Sequence, residues 1–137
     1  MVLAKTYSNP SEMDSVQAEP TVESYFASFN AGDFEVTAAL FVPDGELRPP
    51  FESAIVGPDA IAQYLKTEAE GMQAYPESLE LRPIGEGGRQ ILVRGRVKAL
   101  VFKVVVAWVF ELTESEQIRS VEVNLLASMQ ELLSLRP

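Results

Sequence analysis

The chain has no cysteine and no histidine. The first absence removes disulfides and thiolate chemistry. The second removes Ser-His-Asp and Cys-His nucleophile systems and any His-ligated metal. Positive charge is scarce as well: 11 Lys and Arg stand against 20 Asp and Glu, for a net charge of −9. Nucleic-acid binding needs a basic footprint, and no cluster here makes one. No stretch is apolar for the ~20 residues that a membrane span requires. Met1 to Lys5 lack the apolar run of a secretory signal, so a cytoplasmic location is expected. Tryptophan occurs once, at Trp108.

A length of 137 residues suits one domain with a tail. Residues 1–19 mix Ser, Asn, Pro, Glu and Asp with no sustained period. They are read as a flexible N-terminal tail, and residues 20–137 as a single domain. A first helix is expected from Thr21, with Val22, Tyr25, Phe26 and Phe29 on one apolar face and Gly32 at its end. Asp33 is expected to cap a second helix over residues 34–41. Pro43-Asp44-Gly45 reads as a turn, followed by short strands at residues 46–48 and 51–56. A third helix opens at Pro58. Its apolar stripe runs through Ile61, Tyr64, Leu65, Ala69 and Met72.

Four strands are expected next, over residues 78–84, 90–99, 101–111 and 118–127. Gly85 to Gly88 turn the first hairpin. Ser128 and Glu131 form a capping box that opens a last short helix with Leu132, Leu133 and Leu135. The run from Val101 to Glu111 is the most apolar in the chain and has no Gly or Pro. It reads as a central strand. Alternation puts Phe102, Val104, Val106, Trp108 and Phe110 on one face, and Val101, Lys103, Val105, Ala107 and Val109 on the other. Both faces need cover. One packs on the protein's own helices, and the other meets a partner subunit or a ligand. Helices gathered at the front and antiparallel strands at the back give an α+β class. A long curved sheet over N-terminal helices makes a cone with an apolar mouth, as in the nuclear-transport-factor-like, or ketosteroid-isomerase-like, superfamily.

Several segments carry a narrower resemblance. They are residues 25–34 (YFASFNAGDF), 40–45 (LFVPDG), 49–51 (PPF), 55–57 (IVG), 95–97 (GRV), 107–110 (AWVF) and 125–133 (LLASMQELL). Together they resemble the C-terminal domain of the orange carotenoid protein and its stand-alone homologues. The resemblance implies that a keto-carotenoid, such as canthaxanthin or echinenone, enters an apolar tunnel end-on and non-covalently. It implies that Tyr25 and Trp108 hydrogen-bond the ring carbonyl. Phe29, Ala69, Met72, Val104, Val106 and Phe110 are the candidate lining residues. It further implies storage or transfer of the pigment in photoprotection. The expected partners are a second copy of the chain, a helical carotenoid-binding protein as donor or acceptor, and a membrane in transient contact. The chain departs from the family in having no regulatory cysteine, in Asn124 where Asp is common, and in a shorter connection at Leu100-Val101-Phe102.

The residue types alone leave other readings open. A Trp on a strand and a Tyr on a helix face also serve as ordinary core residues. A ketosteroid-isomerase-like enzyme would use Asp44 or Glu46 as base and Tyr25 as donor, although Asp44 also suits its turn. A dimeric scaffold without ligand is the third alternative.

Overall fold

The computed structural model describes residues 19–85 and 87–126. Helix α1 (Pro20–Ala31) starts on proline, whose missing N–H costs nothing in a first turn. It buries Val22, Tyr25 and Phe26, with Phe29 half-buried beside them. Gly32 closes it at φ 77, a conformation glycine adopts without strain. Helix α2 (Phe34–Ala39) is shorter than the periodicity suggested. Phe41 leaves it to begin β1, where its ring is buried. The Asp33 side chain makes no cap bond. Its backbone carbonyl instead accepts the Thr37 N–H at 3.1 Å and the Thr37 hydroxyl at 3.3 Å. The Thr37 and Ser28 hydroxyls meet at 2.6 Å, a buried polar link between the two helices.

Helix α3 (Pro58–Glu68) buries Ile61, Ala62 and Leu65. Its apolar stripe continues in the sequence through Ala69 and Met72, but the helix itself stops at Glu68. Gly71 then turns the chain at φ 86, and both side chains still face inward as the backbone unwinds.

Six strands form one sheet: β1 (Phe41–Arg48), β2 (Ile55–Val56), β3 (Gln73–Ile84), β4 (Gly88–Ala99), β5 (Phe102–Leu112) and β6 (Ile118–Leu125). Their order is β2-β1-β6-β5-β4-β3, so the Trp108 strand is interior, as expected. Four of the five pairings are antiparallel, and β1 with β6 is parallel. An apolar alternation marks a strand but not its direction, so the parallel pair was not foreseen. Pro43-Asp44-Gly45 is not a separate turn. It lies within β1, where five steps from Phe41 to Glu46 oppose two from Ile118 to Ser120. The surplus bulges out, and Pro43 has no N–H to lose from the ladder. The strand expected over residues 51–56 contracts to Ile55–Val56. β3 starts at Gln73, five residues before its expected start, because Asn30 pairs with it. The Asn30 amide donates to the Ala74 carbonyl at 2.9 Å, and its oxygen accepts the Ala74 N–H at 2.7 Å. The expected ends of the sheet at residue 127, the Ser128 capping box and the last helix lie outside the described residues, as do residues 1–18.

Register across the inner face stacks apolar layers. Ile91, Phe110 and Val121 are opposite one another, then Val93, Trp108 and Val123, then Gly95, Val106 and Leu125. Gly95 is required by close approach: a Cβ there would lie 2.2 Å from the Tyr75 carbonyl oxygen. The neighbouring β3 is bulged between Pro76 and Ser78, which bends the sheet over the helices.

Candidate functional site

α1 carries Tyr25 and Phe26 against the concave face of the sheet. The Tyr25 ring meets Phe110 edge-on at 5.0 Å and Phe26 at 5.3 Å. Phe26 in turn packs edge-on against Trp108 at 4.9 Å. Such edge-to-face pairs hold aromatic rings at defined angles. Tyr25 and Trp108 are therefore positioned through one shared neighbour, although 83 positions separate them in sequence.

Both open onto a cavity of about 390 Å³, within the usual range of ~300–1,000 Å³ for ligand pockets. From α1 come Tyr25 and Phe29. From α3 and the turn after it come Tyr64, Leu65, Glu68, Ala69 and Met72. The sheet supplies Leu47, Val97, Ala99, Val104, Val106, Trp108, Val123 and Leu125. The segment Pro49-Pro50-Phe51-Glu52 forms a lip. The lining is overwhelmingly apolar, and its donors are few.

Among the described residues, neither the Tyr25 hydroxyl nor the Trp108 indole N–H has a hydrogen-bond partner. None of the described side-chain nitrogens or oxygens sealed from solvent lacks one, so these two polar tips face the cavity. Burial raises the Tyr25 phenol well above its ordinary pKa of 10.0, with desolvation as the sole cause. It remains a neutral donor across any physiological pH. Two aimed donors in an apolar cavity can meet two lone pairs on one carbonyl oxygen. At the lip, Tyr64 donates to Glu52 Oε2 at 3.0 Å. The Tyr64 phenol is pushed up to about 12, by burial first and then by the Glu52 bond and the charges of Glu52 and Glu68.

The structure brings Tyr25, Trp108, Phe29, Ala69, Met72, Val104 and Val106 to one cavity. Phe110 is not at its wall. It is fully buried behind Tyr25, as the platform for that ring. Asp44 is solvent-exposed on the β1 bulge. Glu46 pairs with Arg48 at 2.8 Å, and neither carboxylate lines the cavity. Sequence reasoning did not assign Pro49, Pro50, Phe51, Tyr64, Val97, Val123 and Leu125 to the site. The last three fall in strands expected from the sequence, but cross-strand register was needed to set them beside Val104, Trp108 and Val106. The Pro49-Pro50-Phe51 motif was read as the break between two short strands, with Phe51 opening the second, whereas it forms the cavity lip.

The chain matches the SnoaL-like domain over residues 22–121. It belongs to the SnoaL-like family. This SnoaL-like domain is 36% identical to the orange carotenoid-binding protein of Synechocystis over 118 residues, which are 83% of this chain and 37% of that protein. Its structure superposes with a TM-score of 0.77 on the Anabaena orange carotenoid protein binding canthaxanthin. That match has 37% identity and covers 85% of this chain and 38% of the other. The chain thus spans little more than a third of the length of these relatives, and the resemblance to their C-terminal domain holds. An epoxide hydrolase/cyclase-like enzyme of pyran-ring formation in salinomycin shares the fold at 19% identity, with a TM-score of 0.63 and coverage of 84% of this chain and 95% of that one. The nuclear-transport-factor-like α+β architecture expected from the sequence is the one observed. No helix among the described residues is long and apolar enough to cross a membrane.

Proposed function

We propose that this SnoaL-like domain binds a keto-carotenoid, such as canthaxanthin or echinenone, non-covalently and without catalysis. One observation carries the reading: an apolar cavity whose wall presents two hydrogen-bond donors, Tyr25 and Trp108, and no paired acceptor for either among the described residues. The residues fit the ligand's chemistry. The pigment is a long conjugated hydrocarbon with a carbonyl at its ring. The apolar walls take the ring and chain, and the two donors hold the oxygen. Each bond contributes only about 0.5–1.5 kcal/mol net. Their larger effect is to fix register and draw electron density toward the carbonyl, which shifts absorption to the red.

The cavity accepts one end of such a molecule, so the other end needs a second cover. A homodimer sharing one pigment meets that need. The outer face of β5, on the side of the sheet away from the cavity, offers a separate contact between copies: half-buried Val105 is opposite Arg96 on β4, and half-buried Val109 is opposite Leu92 on β4 and Glu122 on β6. An apolar ridge with a basic residue on one flank and an acidic one on the other is suited to a self-complementary contact under two-fold symmetry. The reading extends to storage or transfer of pigment in photoprotection, with a helical carotenoid-binding protein as the other party. The isomerase alternative has less support, since Asp44 and Glu46 lie outside the cavity.

The test is an absorption spectrum of the protein purified from a host that makes keto-carotenoids. A coloured protein with a red-shifted band, and loss of that shift in Tyr25→Phe and Trp108→Phe, is the expected result. A colourless protein that also takes no pigment from a loaded donor would overturn the reading.

A further inference from the structure

The most exposed large apolar residues are concentrated beside the cavity mouth. Leu100 is 86% exposed, Val101 85%, Phe102 68% and Phe51 90%. The first three are consecutive at the tip of the β4–β5 hairpin. Ala99, at the base of that tip, and Phe51 line the same cavity. Leu100 adopts φ 58 at the first loop position, where two-residue hairpins ordinarily place glycine. A large apolar side chain is thus held in a strained conformation where a small residue would fold better. Directly below, Lys98 and Lys103 are cross-strand partners. Both are exposed, and neither has a salt-bridge partner among the described residues. Like charges placed opposite each other destabilise a hairpin. This pair persists in a chain whose net charge is −9, so the tip runs against the sign of the whole molecule.

We propose that the Leu100-Val101-Phe102 tip inserts into a phospholipid bilayer whose anionic headgroups are met by Lys98 and Lys103. Three arguments favour a bilayer over a protein. A protein interface recruits roughly 20–30 residues a side, and a hairpin tip offers a prong of a few. Lys98 is two residues below Leu100, or roughly 7 Å at ~3.3 Å per residue. That matches the ~5–10 Å to which apolar side chains sink at a membrane interface. Finally, cation pairs set just behind exposed apolar groups complement an anionic surface. Docked this way, the cavity mouth faces the lipid. The consequence for pigment uptake rests on the function proposed above, but the docking does not.

The test uses pigment-free vesicles, so its failure is separable from failure of the carotenoid reading, which is scored by colour. Flotation would compare mixed phosphatidylglycerol–phosphatidylcholine vesicles with phosphatidylcholine alone. The full chain should float with the anionic vesicles and less well at high salt. Val101→Asp with Phe102→Asp should weaken binding on the order of 100-fold, since two large apolar side chains no longer leave water. Lys103→Glu should weaken it about 10-fold or more. The same substitution should raise the melting temperature, because it turns a like-charge pair with Lys98 into an opposite one. That pair of effects separates a docking role from a structural one. Absence of flotation at any composition, or unchanged flotation in these variants, would overturn the proposal. So would conversion of a dimer to a monomer by the tip substitutions, which would make the tip a contact between copies.

Discussion

Tyr25 is held by aromatic edges rather than by a hydrogen bond, and its hydroxyl faces an apolar cavity. Desolvation keeps the phenol protonated above its ordinary 10.0. The raised value means that the folded protein resists losing this proton while the unfolded chain gives it up near 10. Stability from this group is therefore full below pH 10 and declines as pH rises toward the folded value. Tyr25→Phe should flatten that alkaline decline while leaving the fold intact at neutral pH. Denaturant midpoints measured on either side of pH 10 check this. The two donor positions came from the resemblance to the orange carotenoid protein C-terminal domain, since by residue type alone a Trp or Tyr on an apolar face also serves as an ordinary core residue. Phe110 was assigned to the lining for the same alternation that placed Trp108. Only packing shows that Tyr25 covers it. The lip residues Pro49 to Glu52 belong to no periodic element, so nothing local could place them.

Between elements, two polar ties set the geometry of the cone. The first is Asn30, which acts as a strand partner for the start of β3; Gln73 also donates back to the Asn30 carbonyl at 2.9 Å. Asn30→Ala removes two bonds and leaves the buried Ala74 backbone unpaired. We expect a loss of about 2 kcal/mol, read by chemical denaturation, with cavity residues Ala69 and Met72 loosened. The second is Arg89, which reaches Glu19 at 2.6 Å and Glu116 at 2.6 Å. It ties the entry of α1 to the β5–β6 turn, where the Thr21 hydroxyl also donates to the Glu116 carbonyl at 2.8 Å. The Arg89 hydrogen bond holds the Glu116 carboxyl below its ordinary 4.5. The sign follows: this stabilisation is present above about pH 4.5 and is lost as pH falls through the lowered value. Glu116→Gln should therefore lower the melting temperature slightly at neutral pH, slightly because the group is exposed, and by the same amount reduce its fall on acidification below that pH.

At the scale of the molecule, a cone formed by one bent sheet leaves two apolar surfaces to be covered, its cavity and its outer face. The helices cover most of the first. For the second we expect self-association through the ridge of Val105 and Val109. Val109→Lys sets a charge on that ridge without touching the cavity wall. It should shift the protein from dimer to monomer in light scattering and leave Tyr25 and Trp108 in place. An unchanged mass would remove the outer face from the reading.

The sequence by itself determined most of the segments that are helix or strand and which face of each is apolar. It also excluded cysteine and histidine chemistry and a basic nucleic-acid footprint. These are local or compositional properties, written in periods of two and 3.6 residues. Tertiary structure decided the parallel join of β1 to β6, the bulge that absorbs Pro43-Asp44-Gly45, the stop of α3 before Ala69, and the gathering of Pro49, Val97 and Leu125 around one cavity. Each depends on which distant segment becomes a neighbour. A hydrophobic period specifies that a face must be buried, but only the packed whole selects what buries it.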